Sequence, residues 1–401
     1  MIVFVTDELP RPGAAGHLAF NHTVLHWLQS ENFAVHVLLT GARLTWPLER
    51  YSLVPVAGPH VSQIGPFAAA LSPAAAGRIF ARGLLHLLPN KLATKLRRNR
   101  HQADAVLGKF PSQADLRWCA RAIAKLKPRA VLIDTMFRAP LLAEPELTGV
   151  NSIVIAHDVF HRRAQVLSAA GYHVVPEMLT RAREATLLRR ARAIAAIQPE
   201  EAALLRDMCP AQNVFVTPMP ALPCPRPPEV QPIPGRLVFV GSASLPNLDG
   251  MRWFFAEIWP LLRGNGITLD LVGDCGSALR QVPGGVRIWG RVNNLAPLLH
   301  RAALAISPLR AGSGLKIKML DYARHGLFTV ATPPSLQGFY PDADSPFIIA
   351  GSAGMFAQAV LRHVSNPPPP GAALAYVTQH YGTEASFAAL RSALTEALHR
   401  T

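Results

Sequence analysis

Leu304-Ala305-Ile306-Ser307-Pro308-Leu309-Arg310-Ala311-Gly312-Ser313-Gly314-Leu315-Lys316-Ile317-Lys318-Met319-Leu320-Asp321 reads as a strand, a glycine turn and the start of a helix. Leu304–Ser307 is a short apolar run closed by a serine. From Leu315 the apolar positions Met319, Leu320 and Ala323 recur at helical spacing. Glycines at a strand-to-helix turn let the backbone approach a ligand closely, and the first free N–H groups of the helix point at it. The positive end of the helix favours an anion there. Lys316 and Lys318 add full charges, and Arg310 stands just before the turn. Asp321, one or two turns into the helix, can accept hydrogen bonds from ribose hydroxyls while the turn holds phosphates. A tight turn followed by exposed lysines is the plain structural alternative.

The same rhythm extends outward in both directions. Apolar, β-branched runs at Ile2–Thr6, Ala34–Thr40, Ala130–Asp134, Ser152–His157, Ala193–Gln198 and Val214–Thr217 predict strands in the first half. In the second half the runs are Arg236–Gly241, Thr268–Asp274, Val286–Gly290, Leu304–Ser307, Phe328–Thr332 and Phe347–Ala350. Helical patterns lie between them, notably Ala19–Ser30, Ser112–Leu126, Asp249–Arg263 and Lys316–His325. Continuous apolar strands alternating with helices imply α/β architecture with parallel sheets covered on both faces. Prolines from Pro218 to Pro234 cannot continue a helix or a central strand and mark a linker.

The predicted organisation is therefore a doubly wound, Rossmann-like N-terminal domain over 1–216, a linker over 217–235 and a second such domain over 236–375. A C-terminal helix over 376–401 packs back on the first domain. Two such domains predict a cleft between them, lined by the carboxyl ends of strands. Gly241 and Ser242 end the first strand of the second half and supply N–H donors. Gly290 and Arg291 end another strand there, and their backbone lines a nucleobase slot.

Composition narrows the partners. A chain of 401 residues, half of them hydrophobic and 16% charged, is a folded protein long enough for two domains. Net charge is +15, which calls for an acidic partner. No Asp or Glu occurs between Glu49 and Asp104, whereas Arg78, Arg82, Lys91, Lys95, Arg97, Arg98 and Arg100 fall in that interval. Residues 78–100 interleave these cations with Ile79, Phe80, Leu84, Leu88 and Leu92, a pattern suited to an anionic membrane surface. A solvated helical face over an ordinary core stripe is the alternative. Phe80 alone offers a stacking platform, so no nucleic-acid partner is expected. The four cysteines have no CxxC or zinc-like spacing, which suggests a reducing compartment. The N-terminus reads as a first strand and not a signal peptide, so the protein is expected in the cytoplasm, peripheral to the inner membrane face at most. No metal site, Walker A sequence, HExxH, GxSxG or GxGxxG fingerprint is evident.

One family resemblance joins these observations. Val240-Gly241-Ser242, Pro246-Asn247, Trp253-Phe254, Gly290-Arg291-Val292 and the run from Pro308 to Asp321 resemble the retaining glycosyltransferases of family four, which have the GT-B architecture. The resemblance covers the second half and is looser in the first. It implies metal-independent transfer of a sugar from a nucleoside diphosphate with retained configuration, the nucleotide sugar being a co-substrate and no cofactor being needed. It also implies that the acceptor, lipid-linked or polysaccharide, binds the first half and the donor the second. Ser313, Gly314, Leu315, Lys316, Lys318 and Asp321 then form the donor-diphosphate segment. The family usually places a glutamate at each of the positions held here by Ser313 and Asp321. Relatives also carry an Arg and a Lys after the first strand of this half, where this chain has Ser242-Ala243-Ser244. Lys316 or Lys318 supplies that charge instead.

In the first half, Pro10 to His17 resembles the family's glycine-rich loop over the diphosphate, with Gly16 and His17 as its candidates. His157 matches a histidine that sits near the reacting sugar carbon in relatives, and it is the candidate catalytic residue. Asp134 ends a neighbouring strand and is a further candidate for acceptor contact; His161, Arg162 and Arg163 are either acceptor-side groups or a basic helix start. A soluble natural product as acceptor, and a non-catalytic GT-B-like scaffold, remain as alternative functions.

Overall fold

The computed structural model describes residues 1–12, 16–73, 76–77, 79–81, 105–169, 171–311, 315–340 and 342–395. Ser313 and Gly314, with Gly312 before them, lie outside the described residues. So do residues 13–15 and all of the basic interval 78–100 except residues 79–81. The chain divides into two compact units, each built on its own parallel sheet.

The first unit comprises Met1–Ile197, Glu201–Thr217 and the C-terminal residues from Ala389. Its sheet contains β1 (Ile2–Glu8), β2 (Val35–Arg43), β3 (Val56–Ala57), β4 (Ala130–Asp134), β5 (Ser152–Ala156), β6 (Ala193–Ala196) and β7 (Asn213–Val216). The spatial order is β7-β6-β5-β4-β1-β2-β3 and every pairing is parallel. Every residue of β4, β5 and β6 is buried, because helices cover both faces. That burial is why these strands read as unbroken apolar runs and not as alternating ones. The chain order reverses between β1 and β4, which is where a doubly wound sheet opens a crevice at its strand ends.

Pro218–Ala388 forms most of the second unit. Its strands are β8 (Arg236–Val240), β9 (Thr268–Val272), β10 (Val286–Gly290), β11 (Leu304–Ser307), β12 (Thr329–Ala331) and β13 (Phe347–Ile349), in the order β10-β9-β8-β11-β12-β13. Successive side chains of β8 serve opposite faces. Leu237 and Phe239 join Met251, Phe254, Ile258 and Phe356 in one core, while Val238 joins Met319, Tyr322 and Tyr376 in the other. The reversal of chain order here falls between β8 and β11, and residues 315–321 follow β11.

The predicted strands all form, with ends shifted by a few residues. Four features differ from the reading. The helix expected from Asp249 starts at Leu245, after Ser244, with Pro246 in its first turn. It continues through a wide turn at Phe254–Ile258, one residue ahead of the Trp259–Leu262 turn that carries Pro260. A small antiparallel sheet of Leu48–Arg50, Phe67–Ala70 and Val61–Ile64 has no clear alternation to announce it. The proline-rich segment is also no free tether. Backbone bonds tie Ala221 to Tyr381, Cys224 to Arg324 and Ile233 to Arg301, all within the second unit. The C-terminal helical region is two helices, Gly371–Tyr381 and Thr383–Thr395. Arg391 on the last of them pairs with Glu31 within the first unit, Nη2 to Oε1 2.6 Å.

Candidate functional site

Each unit gathers predicted residues at the carboxyl ends of its strands. In the second unit, β8, β9 and β10 end in glycines that come almost into backbone contact. Gly241 donates its N–H to the Val272 carbonyl at 2.9 Å, and Gly273 donates to the Gly290 carbonyl at 2.6 Å. Gly273 has φ +93°, and a Cβ there would stand 2.4 Å from the Gly241 carbonyl oxygen. Only glycine permits that approach. Gly290 has φ +65°, so it too holds a left-handed conformation that glycine favours.

Helix α2 (Ile317–Arg324) follows β11, with Lys316 at its N-cap position. Tyr322 fixes this helix against β8, its hydroxyl accepting the Val240 N–H at 2.7 Å. Lys318 thereby reaches the end of β8. Its Nζ donates to Asn247 Oδ1 at 2.8 Å and lies 4.1 Å from the centroid of the Phe239 ring. Asn247 Nδ2 in turn donates to the Ser242 carbonyl at 3.0 Å. Burial pushes the Lys318 ammonium down to about 7 and that of Lys316 down to about 8. An amine so desolvated, held by a neutral amide and an aromatic face, gains much from an anion placed beside it.

The other predicted residues of this unit separate. Leu315 packs partly buried against the core. Asp321 is raised by burial, and Arg324 at 3.4 Å opposes the shift. Among the described residues its ion-pair partner is Arg324. Arg291 is well exposed, and its Nε donates to both carboxylate oxygens of Asp274 at 2.8 Å. Its charge is matched within the protein.

In the first unit, helix α1 (Gly16–Ser30) begins with Gly16 and His17, both exposed. The His17 ring lies 6.0 Å from that of His157, edge to face, and Phe20 packs edge-on against His157 at 5.4 Å. His157 ends β5 with its side chain only 7% exposed, and its Nε2 lies 3.0 Å from Asp134 Oδ1 and 3.1 Å from Asn21 Oδ1. Thr6 donates its hydroxyl to Asp134 Oδ2 at 2.7 Å. Burial alone would raise the Asp134 carboxyl, but bonds from His157, the nearby Arg138 charge and Thr6 outweigh it and hold the group well below the usual carboxylate range. An ionised carboxylate only accepts, so Nε2 carries a hydrogen and Asp134 orients the ring.

His17, Asp134 and His157 therefore come together, with Gly16 beside His17 at the start of α1. Asn21 and Thr6 were not foreseen. Asn21 had a signal, since it is a fully buried polar residue in the apolar stripe Leu18, Leu25 and Leu28. His161 takes the structural alternative. The carboxylate of Glu184 accepts the N–H groups of Phe160 and His161 at 3.0 and 2.8 Å, and His161 Nδ1 lies 2.8 Å from it. Glu184 thus caps the helix Phe160–Ala169.

Residues 234–366 match the family described as glycosyl transferases group 1. The second unit is a group 1 glycosyl transferase domain. A relative, the uncharacterized 44.6 kDa protein in the cps region of Klebsiella pneumoniae, is 24% identical over 144 residues. That match spans 32% of this chain and only 37% of the relative. Among solved structures, sucrose-phosphate synthase from Thermosynechococcus elongatus is 13% identical with TM-score 0.63, covering 100% of both chains. The lipopolysaccharide outer core galactosyltransferase WaaB, in its apo form, is 12% identical with TM-score 0.59, covering 98% of this chain and 99% of its own. TarM of S. aureus, a G117R mutant in complex with fondaparinux, alpha-GlcNAc-glycerol and UDP, is 8% identical with TM-score 0.57, covering 98% and 99%. At these identities the likeness is one of fold, and the fold is GT-B. The glycosyl transferase domain is where Lys318 and the glycine-ended strands lie. Among the described residues no helix is long and apolar enough to cross a membrane.

Proposed function

We propose that this protein transfers a sugar from a nucleoside-diphosphate donor to a lipid-linked or polysaccharide acceptor, with retained anomeric configuration and no metal at the diphosphate. The observation that carries the reading is the desolvated Lys318 ammonium at the start of α2, beside strand ends that only glycine can form. A departing diphosphate develops negative charge, and preorganised cations with free helix N–H groups stabilise it without rearrangement. Lys316 acts with Lys318, Asp321 holds ribose hydroxyls, and His157 in the first unit bonds a hydroxyl of the reacting sugar. The S. aureus TarM structure contains UDP, which supports a nucleoside diphosphate as the ligand class.

The pH dependence of nucleotide binding tests this assignment. Lys318 is lowered to about 7 in the free protein, and a bound diphosphate raises it again. Below that value the amine is protonated in both states and binding is strongest. Above it binding must take up a proton, so affinity falls by up to about tenfold per pH unit until the bound-state value is passed. The terminal phosphate, with pKa about 6, is already ionised in this range. Calorimetric titration with UDP, GDP, ADP and TDP should find at least one ligand whose affinity declines this way, and in Lys318→Met the decline should begin only near pH 8, where Lys316 loses its proton. Binding of none of them to the folded protein would sink the reading.

The membrane-facing role of 78–100 rests on its sequence and on Phe80, which is half exposed. Co-sedimentation with vesicles rich in phosphatidylglycerol should occur at low salt and be lost at high salt. No sedimentation at low salt would favour an acceptor that is a soluble natural product.

A further inference from the structure

Cys224, His300 and His325 come together in the second unit, with a donor atom of each within 4.8 Å of the other two. Cys224 lies in the proline-rich segment, half-buried, and its backbone N–H donates to the Arg324 carbonyl at 2.6 Å. His300 follows the short helix Ala296–Leu299, and His325 follows α2. Both rings are buried, and their centroids are 5.1 Å apart.

Each imidazole already commits one nitrogen. His300 Nε2 lies 3.1 Å from the backbone oxygen of Cys224, and His325 Nδ1 lies 2.7 Å from that of Asp321. A carbonyl only accepts, so both of these nitrogens carry hydrogens. The other nitrogen of each ring keeps its lone pair. Metal-bound histidines show the same division of labour, one N–H held by a carbonyl and the opposite nitrogen on the ion. Two buried rings with one lone pair each, grouped with a thiol, offer a donor set that an ion can draw together by small ring movements.

We propose that Cys224, His300 and His325 bind a zinc ion that fastens the proline-rich segment to the carboxyl end of α2. One thiolate and two imidazoles suit a borderline-soft ion of tetrahedral preference, with water in the fourth position. Magnesium and calcium want oxygen ligands and do not fit. On binding, the sulfur–zinc bond replaces the S–H bond and the proton passes to solvent. The nearest cationic side chain in sequence, Arg324, is paired with Asp321 and opposes the ion less than a lone guanidinium would. The ion sits at the opposite end of α2 from Lys318, so its role is to brace the helix.

Full-length protein stripped with a chelator and titrated with Co2+ provides the test. One equivalent should give a thiolate-to-cobalt charge-transfer band with tetrahedral d–d bands, both displaced by Zn2+. Zinc should raise the Tm of the stripped protein by about 5 °C or more. Cys224→Ser should abolish the charge-transfer band and the Tm rise, and His325→Gln should weaken binding by at least about tenfold. The proposal is overturned if the parent chain gives neither band nor Tm shift, or if Cys224→Ser keeps the zinc-induced shift in full. The parent readout decides the matter even if a variant does not fold.

Discussion

Replacing Lys316 and Lys318 together by alanine should lower kcat/KM for sugar transfer by about 10²–10⁴-fold while leaving the protein folded. Each lysine is assigned a charge-assisted bond to the diphosphate, worth about 1.5–3 kcal/mol, and every 1.4 kcal/mol or so is a factor of ten. The fold should survive because these charges do not support it. Burial lowers Lys318 to about 7, so its ammonium is less comfortable in the folded protein than in the unfolded chain. The sign follows: the unfolded chain binds more protons across the interval above that value, so the ligand-free protein gains stability as pH rises through it. Removing the amine removes that handicap, at the cost of the hydrogen bond to Asn247 and the contact with Phe239. Stability and activity should thus separate, as they do where a strained group is kept for function. Circular dichroism and Tm check the fold, and a radiolabelled-donor assay checks transfer. Near-normal transfer by the folded double variant would reject the assignment of α2 to the diphosphate.

That separation also explains how much of the molecule was legible. The strands were readable because a parallel sheet buried on both faces must be apolar at every position, as in Ala130–Asp134 and Ser152–Ala156. The segment from Arg310 to Lys318 stood out because glycine and lysine report on backbone approach and charge, which are local properties; its diphosphate role is a proposal. Asn247 in contact with Lys318 was less so. Its side chain matters only because Tyr322 locks α2 against β8, a fact of packing. The Asn21–His157–Asp134 contact joins the first helix to two strands more than a hundred residues later, and no spacing rule connects them. Cys224 and His300 lie 76 residues apart, so no close cysteine–histidine spacing announces their cluster. What sequence conveys well is local propensity and pattern; what it hides is the side-chain partner supplied by another element.

His157→Ala should lower kcat by about 10²–10³-fold with little change in nucleotide affinity, the size of effect seen when one aimed hydrogen-bond donor is removed from a transition state. The diphosphate contacts are assigned to the second unit and His157 to the first, so a KM-against-kcat split separates the two roles. Asp134→Asn should act in the same direction through His157, because it removes the charge that orients the ring. It also carries a stability signature. The folded carboxyl lies well below its unfolded value of about 3.9. A depressed carboxyl contributes stability that is fully present above the unfolded value and is lost as pH falls through the folded one. The urea midpoint of Asp134→Asn should therefore lie furthest below that of the parent near neutrality, and the gap should narrow below about pH 4. His157→Ala strands a buried carboxylate and should destabilise by about 1–3 kcal/mol. His157→Gln, which restores an amide donor toward Asp134, should recover most of that stability and little of the kcat. If His157→Gln were instead fully active, the histidine would be a brace for Asp134 and not a group that touches the sugar.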